Sequence, residues 1–217
     1  MGSNVAVVPY GVKTFLVTGL DNVYKRALTE AFRARFDNVM VRSGLESVLL
    51  NFTQVPVDVT EVEVRELVSL GLTASDSPVS GKAFNIPVFY DGEDLVAVSS
   101  QLGFSEEAFI QWHSSIVWDV ALVGFAPGFP YLVPRSLADG RKLQEIPRLS
   151  SPRTKVPQGS VAIAAGMAAI YPSAMPGGWS LVGRTDFVLF DQSLPQPSTL
   201  TELDTVKFEQ VKDLVTV

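Results

Sequence analysis

The stretch over residues 124–185 constrains the fold of this 217-residue chain most strongly, because it is dense in proline and glycine. Proline fixes φ and lacks a backbone N–H, while glycine enters φ values that other residues avoid, so their alternation interrupts helices. Two segments within it, residues 160–165 and 179–183, are typical of strands. The stretch therefore predicts a long, fixed loop path between strands of a compact β unit, suited to presenting a site.

Composition limits the class of protein and the kind of partner. Hydrophobic residues make up 47% of the chain and charged residues 18%, which supplies a sizeable core and excludes a disordered polyelectrolyte. The net charge of −6 disfavours a nucleic-acid partner. The chain has no cysteine and a single histidine, so no metal site is expected. It shows no basic leader and no apolar segment approaching about 20 residues, which predicts a soluble, cytoplasmic protein without a membrane partner.

Hydrophobic periodicity predicts a small α+β domain in the first third of the chain. β-branched and aromatic runs favour strands, while apolar residues at spacings of three and four favour amphipathic helices. Asp21 or Asn22 is the expected cap of the first helix, and the second opens with the capping box Thr60 and Glu63. The predicted elements are a strand over 13–18, a helix over 21–36, a hairpin of strands over 38–42 and 46–52, and a helix over 60–72.

The order β, α, β, β, α matches a ferredoxin-like domain. A further predicted strand over 83–90 either completes this domain or begins the next one. Between them, residues 73–82 are small, polar and turn-forming, which is the composition of a linker. We therefore place a domain boundary there, with one domain over residues 1–80 and a second over residues 81–217.

The second part of the chain combines two short helices with further strands. Helices are predicted over 93–101 and 105–114, and strands over 116–124, 186–190 and 205–208. Ser105 is the expected cap of the second of these helices. His113 lies near its end, where the helix dipole favours a cation, so its pKa is expected near or above the ordinary value of about 6.5.

Three motifs in this part resemble a known family. They are HSSIVWDVALVGFAPGFPYL at 113–132, IPRLSSPRTKVPQG at 146–159 and IYPSAMPGGWSLVGRT at 170–185. Together they resemble the bacterial family of 5-oxoprolinase B subunits, which also contains the sporulation-kinase inhibitor KipI and proteins named allophanate hydrolase subunit 1. The motifs are also similar to part of the carboxyltransferase region of urea amidolyase.

The resemblance implies a fold, a reaction and partners. The implied fold is α+β, with a ferredoxin-like N-terminal domain followed by a cyclophilin-like β-barrel domain. The implied function is that of the B component in an ATP-dependent 5-oxoprolinase, inactive alone, which hydrolyses 5-oxo-L-proline to L-glutamate together with an A component and a carboxyltransferase-like C component. ATP, with Mg²⁺, is the expected cofactor of the assembled complex. Two alternatives stay open: a KipI-like inhibitor that binds a sensor histidine kinase, and a carboxyltransferase component acting on urea-derived substrates.

The candidate site residues are the cations and polar rings of these motifs. Opening a lactam requires stabilisation of developing negative charge and a proton carrier, and guanidinium groups suit carboxylate or phosphate. We predict His113, Arg153 and Arg184 as catalytic residues and Arg148, Lys155 and Tyr171 as substrate-binding residues. In the alternative interpretation the arginines tie loops together, His113 is structural and Tyr171 fills the mouth of the barrel. Packing is favoured over a binding cage for the aromatic residues Phe125, Phe129, Tyr131 and Trp179.

Three positions depart from the pattern of the resembling family. Met167, Ala168 and Ala169 stand where its members usually carry Gln-Thr-Gly, Met175 replaces a small polar residue, and Leu203 stands where a glycine is usual. The first two departures remove hydrogen-bonding groups near the predicted site. They bear directly on which substrate the site accepts.

Overall fold

The computed structural model of the chain describes residues 5–20, 22–56, 58–73 and 81–214. The chain divides into two compact units, residues 1–80 and residues 81–217.

The first unit is a four-stranded antiparallel sheet with two helices. The sheet has the strand order β1-β2-β4-β3. Residues 83–90 do not join it, so the edge strand beside β2 comes from the N-terminal β1 instead of from a strand that follows the second helix. The elements are β1 (Ala6–Pro9), β2 (Thr14–Thr18), α1 (Asn22–Arg35), β3 (Met40–Ser43), β4 (Ser47–Asn51) and α2 (Glu61–Thr73).

Alternation along the strands builds the core of this unit. Phe15 and Val17 of β2, like Val48 and Leu50 of β4, are buried, and all four belong to one hydrophobic cluster. The capping box predicted for α2 is confirmed, because the Thr60 backbone N–H donates to the Glu63 carboxylate at 2.8 Å and the Glu63 N–H donates to Thr60 Oγ1 at 3.3 Å. The caps proposed for α1, Asp21 and the Asn22 side chain, lie outside the described residues.

The second unit is a β-barrel with short helices. Its seven-stranded sheet has the order β12-β9-β10-β7-β6-β13-β5, and β8 pairs with β11 in a separate two-stranded sheet. The elements are β5 (Ala83–Val88), α3 (Leu95–Gln101), α4 (Glu106–Ser115), β6 (Trp118–Val123), β7 (Pro130–Pro134), α5 (Leu137–Leu143), β8 (Arg153–Val156), β9 (Ser160–Ala164), β10 (Met167–Ile170), β11 (Met175–Gly177), β12 (Ser180–Arg184) and β13 (Thr205–Gln210).

The sheet closes between its two outer strands. Just beyond β5, the Phe89 backbone N–H donates to the Arg184 carbonyl and the Arg184 N–H donates to the Phe89 carbonyl, both at 2.9 Å. This pair links the end of β5 to the end of β12. Closure satisfies backbone groups that an open sheet edge would leave unpaired.

Both faces of the barrel wall are buried along β9. Val161 and Ile163 point into the main cluster, to which all seven strands of the barrel contribute, whereas Ala162 and Ala164 point into a second cluster on the opposite face. The β8–β11 pair supplies Val156 to this second cluster. The part of the chain rich in proline and glycine therefore covers the outside of the barrel wall as well as connecting its strands.

Two sequence-based expectations for this unit are wrong. Residues 186–190 do not form a strand, because the Thr185 hydroxyl accepts a hydrogen bond from the Phe187 N–H and bends the chain, and only Phe190 makes a bridge, to Ser198. The stretch 124–185 does not consist of loops and strands alone, since it contains α5, whose first turn is capped by Ser136 accepting from the Asp139 N–H. The sequence patterns do not predict the strands β1, β7, β8, β10 and β11 either.

Replacing Gly183 with alanine is expected to weaken the barrel closure. A Cβ at this position would lie 2.7 Å from the Phe89 carbonyl oxygen and 2.9 Å from Val88 Cγ1, so the backbone must shift. We expect the free energy of unfolding of the second unit to fall by about 2 kcal/mol. Trp112, Trp118 and Trp179 all lie in this unit, so tryptophan fluorescence during urea denaturation reports its unfolding.

Gly140→Ala is the matched control for this prediction. A Cβ there would meet only Pro134 Cγ, at 3.6 Å, and the position lies within α5. Alanine is the better helix former, so this variant is expected to unfold at the same or a slightly higher urea concentration than the unsubstituted protein. Equal stability of Gly183→Ala and Gly140→Ala would show that a Cβ at position 183 does not disturb the barrel closure.

Candidate functional site

Three of the predicted site residues meet at Trp179. The Arg148 guanidinium carbon lies 5.9 Å from the centre of the Trp179 ring, and Arg153 Nη1 donates to the Trp179 carbonyl at 3.2 Å. The Tyr171 phenol lies close enough to the Trp179 backbone N–H for that group to lower its pKa. The loop before β12 thus brings two arginines and a tyrosine from separate parts of the sequence to one residue.

Around Trp179 lies an aromatic cluster, formed by Phe129, Tyr131, Tyr171 and Trp179. The centre of the Phe129 ring lies 5.2 Å from that of Tyr131 and 5.3 Å from that of Tyr171, and the Tyr131 and Trp179 ring centres are 6.0 Å apart. These edge-to-face and tilted contacts are favourable for aromatic rings. Phe129 and Trp179 are buried, as the packing interpretation expected, whereas Phe125 is exposed and departs from it.

The two tyrosines of the aromatic cluster remain protonated near neutral pH. Burial raises the pKa of Tyr171 and of Tyr131, while the positive charge of Arg148 opposes the rise at both residues. Their phenol groups are therefore hydrogen-bond donors. Tyr171 is buried, whereas Tyr131 is half-buried and lies nearer to solvent.

Three of the positions that depart from the family pattern line this cluster. Ala169 of β10 is buried in it, and Met167 of β10 and Met175 of β11 pack against it. Ala168 points the other way, into the main cluster of the barrel. Because these three side chains are apolar, they offer no hydrogen bond to Tyr171 or Trp179.

Arg153 is held by two carboxylates. Its Nη2 donates to both oxygens of Asp94 at 2.8 Å, and its Nε pairs with Glu93. Asp94 also accepts the Leu181 backbone N–H at 2.7 Å, so it joins the start of α3 to β8 and β12. With its guanidinium engaged on three sides and its side chain 22% exposed, Arg153 ties loops together, as the alternative interpretation proposed. Sequence reasoning missed Glu93 and Asp94, whose only signal was two acidic residues before a predicted helix.

Arg184 and Lys155 have surroundings of their own. Arg184 Nε donates to Asp91 at 2.8 Å, and its guanidinium carbon lies 5.1 Å from the centre of the Phe89 ring, at the barrel closure. Lys155 is exposed on β8, and within the described part of the chain no carboxylate pairs with it. Among the described residues, neither cation has a hydrogen bond or cation–π contact with the aromatic cluster.

The expectation that the pKa of His113 lies near or above its ordinary value is wrong. The ring is fully buried and stacks on Phe208, with ring centres 5.0 Å apart and planes 6° apart. Loss of solvation lowers the pKa of His113 to about 3, which outweighs the helix dipole. Its Nδ1 is hydrogen-bonded to the Tyr90 hydroxyl at 2.8 Å. A neutral imidazole without access to solvent is a packing group of the barrel core and is not placed to exchange protons with a substrate.

Within the described ranges, no group of three or more acidic or histidine side chains is placed to hold a metal ion. The helices described there are all too short or too polar to cross a membrane.

Comparison with known proteins gives a match over most of the sequence. The sequence model of the family named carboxyltransferase domain, subdomain C and D, matches residues 3–200. The 5-oxoprolinase B subunit of Haemophilus influenzae is 37% identical over 187 residues, which make up 84% of this chain and 84% of that protein.

Solved structures share the fold. The structure of TTHA0988 matches with a TM-score of 0.76 and 29% identity, over 95% of this chain and 41% of that chain, so this chain spans less than half of that relative. The urea carboxylase of Kluyveromyces lactis matches with a TM-score of 0.68 and 20% identity, over 96% of this chain and 22% of the other. The predicted fold class, ferredoxin-like followed by a cyclophilin-like β-barrel, is confirmed.

Burial of the His113 imidazole predicts that the stability of the protein depends on pH. His113 is the only histidine in the chain, so this effect has a single source among the histidines. The unfolded chain binds a proton at His113 below a pH of about 6.5, whereas the folded protein does so only near pH 3, so stability is lost as the pH falls between these values. From pH 8 to pH 5 this loss amounts to about 2 kcal/mol. Urea denaturation followed by tryptophan fluorescence at both pH values measures it.

His113→Phe is expected to remove most of that loss, because phenylalanine keeps the stacking and does not titrate. Tyr90→Phe is the matched control, since it removes the same hydrogen bond and leaves the imidazole in place. The control should retain the pH dependence of the unsubstituted protein. If His113→Phe lost as much stability between pH 8 and pH 5 as the unsubstituted protein, the imidazole would be shown to take up its proton in the folded state as well.

Proposed function

This chain belongs to the family of the carboxyltransferase domain, subdomain C and D, and on that basis we propose that it is the B component of an ATP-dependent 5-oxoprolinase. In this proposal it acts with the A and C components to hydrolyse 5-oxo-L-proline to L-glutamate, and it is inactive alone. The observation that carries the proposal is the 37% identity to a protein named as a 5-oxoprolinase B subunit, spread over 84% of both chains.

The proposed substrate site is the aromatic cluster with Arg148. Arg148 is exposed, and none of the described carboxylates pairs with it, so its guanidinium is available for the carboxylate of the substrate. The faces of the aromatic rings suit the apolar methylene groups of a five-membered lactam. The protonated Tyr131 phenol is a donor for the lactam carbonyl oxygen, where negative charge develops as the ring opens.

The other predicted residues take supporting roles in this proposal. Arg153 positions Trp179 through its carbonyl and is held in turn by Asp94. Arg184 and Lys155 stay predictions as contacts for phosphate groups. ATP with Mg²⁺, bound by the assembled complex, would supply a phosphoryl group to the lactam carbonyl oxygen with release of ADP, which would let water open the C–N bond and release phosphate. The FAPGFPYL segment has neither the lysine nor the spacing of a phosphate-binding P-loop, so we assign the main ATP contacts to the partner components.

Reconstitution tests the proposed reaction. The purified chain is combined with the A and C components from the same source, ATP, Mg²⁺ and 5-oxo-L-proline, and the glutamate formed is measured. Glutamate should appear only when all three components are present. A complete mixture that forms no glutamate, while a 5-oxoprolinase of known activity does so under the same conditions, would refute the proposal.

Arg148→Ala is expected to weaken substrate binding in the reconstituted enzyme. A charge-assisted hydrogen bond to a carboxylate contributes about 1.5–3 kcal/mol, so KM for 5-oxoproline should rise by roughly 10- to 100-fold. Arg141→Ala is the matched control, because Arg141 is an exposed arginine on α5 that takes no part in the cluster. Initial rates over a range of 5-oxoproline concentrations measure both variants, and an unchanged KM in Arg148→Ala would remove this residue from the site.

A further inference from the structure

Phe125 adopts a backbone conformation that its side chain disfavours. Its φ is +72°, in the left-handed region where a Cβ crowds the following carbonyl oxygen. Burial of the ring does not compensate for this cost, because Phe125 is 77% exposed. A glycine would satisfy the same turn without strain. The fold alone therefore gives no reason for an aromatic residue at this position.

The turn that carries Phe125 is fixed at both ends. The Gly124 N–H donates to the Phe129 carbonyl and the Phe129 N–H donates to the Ala126 carbonyl, both at 3.0 Å. Gly128 is also left-handed, with φ of +76°, and a Cβ on it would lie 2.7 Å from Phe190 Cβ. The turn is thus packed against the chain near Phe190, and the strain at Phe125 is imposed by a defined structure.

Phe125 extends the aromatic cluster toward solvent. Its ring centre lies 5.6 Å from that of Phe129, with the planes at 78°. Phe129 in turn lies 6.3 Å from Trp179, whose ring is contacted by Arg148. A continuous series of rings therefore runs from the exposed Phe125 to Trp179, over which the unpaired Arg148 guanidinium lies.

We propose that Phe125 is a substrate-contacting residue, whose ring covers the apolar face of a small cyclic carboxylate while Arg148 binds the carboxylate group. The inference rests on the proposed function and deepens it, because it names the ligand class by its chemistry. An apolar ring that carries one carboxylate matches an exposed aromatic face and an unpaired cation that belong to the same series of contacting rings. A strained residue whose side chain is not buried is also typical of functional sites.

Binding and stability of Phe125→Gly test the proposal together. Calorimetric titration of the full chain with 5-oxo-L-proline and with cyclopentanecarboxylate measures Kd without requiring turnover. We expect Phe125→Gly to weaken binding of both acids about tenfold and Phe125→Tyr to retain it. Because glycine relieves the strain, the Tm of Phe125→Gly should equal or exceed that of the unsubstituted protein. Weaker binding together with an equal or higher Tm identifies a ligand contact, because loss of a structural residue would lower the Tm.

Leu203→Gly is the matched control. Leu203 has nearly the same backbone conformation, with φ of +74°, and is not part of the aromatic cluster. Its replacement should leave Kd for both acids unchanged.

Three results would overturn the proposal: an unchanged Kd in Phe125→Gly, a clear fall in its Tm, or no saturable binding of either acid to the unsubstituted chain. The titration is independent of the reconstituted reaction. If reconstitution forms no glutamate but Phe125→Gly still weakens binding of the cyclic acids, the proposed reaction fails and the role of Phe125 stands. If glutamate is formed and Kd in Phe125→Gly is unchanged, the proposed reaction stands and the role of Phe125 fails.

Discussion

The ion pair between Arg153 and Asp94 is the interaction on which the arrangement of the second unit depends. Asp94 binds Arg153 through both carboxylate oxygens and also accepts the Leu181 backbone N–H, so one side chain joins α3, β8 and β12. Removing one partner of a half-buried pair leaves the other charge poorly solvated, which is much more costly than losing an exposed pair. The same pair also fixes the carbonyl of Trp179, so the stability of the barrel and the geometry of the proposed site share one contact.

Burial on both faces of the barrel wall explains why only 18% of the residues are charged and 47% are hydrophobic. A strand such as β9 is buried at every position because its residues alternate between the interior of the barrel and the second cluster outside it. The outer cluster requires a covering layer, which β8, β11 and their loops provide. Prolines and glycines allow this layer to lie close to the wall, and the tyrosines and Trp179 are placed between the two.

Whether a charged group is already paired separates structural from functional candidates in this protein. Arg153 and Arg184 have carboxylate partners, and His113 is neutral and stacked in the core. Arg148 lies over an aromatic ring and has no carboxylate partner among the described residues. A group whose interactions are satisfied within the fold has little capacity left for a ligand, so the proposed site is centred on Arg148, which has no such partner and lies over Trp179.

Local patterns in the sequence determined the helices α1 to α4, the hairpin β3–β4, the capping box and most of the strongly apolar strands, because period, caps and turn residues act over a few positions. The three family motifs indicated the barrel. Only the tertiary structure decided that β1 supplies the edge strand of the first sheet and that residues 186–190 remain irregular. It also decided that Arg153 is engaged by Asp94 and that His113 is buried. These outcomes depend on contacts between residues far apart in the chain, and the pKa or availability of a side chain is set by those contacts and not by its neighbours in sequence.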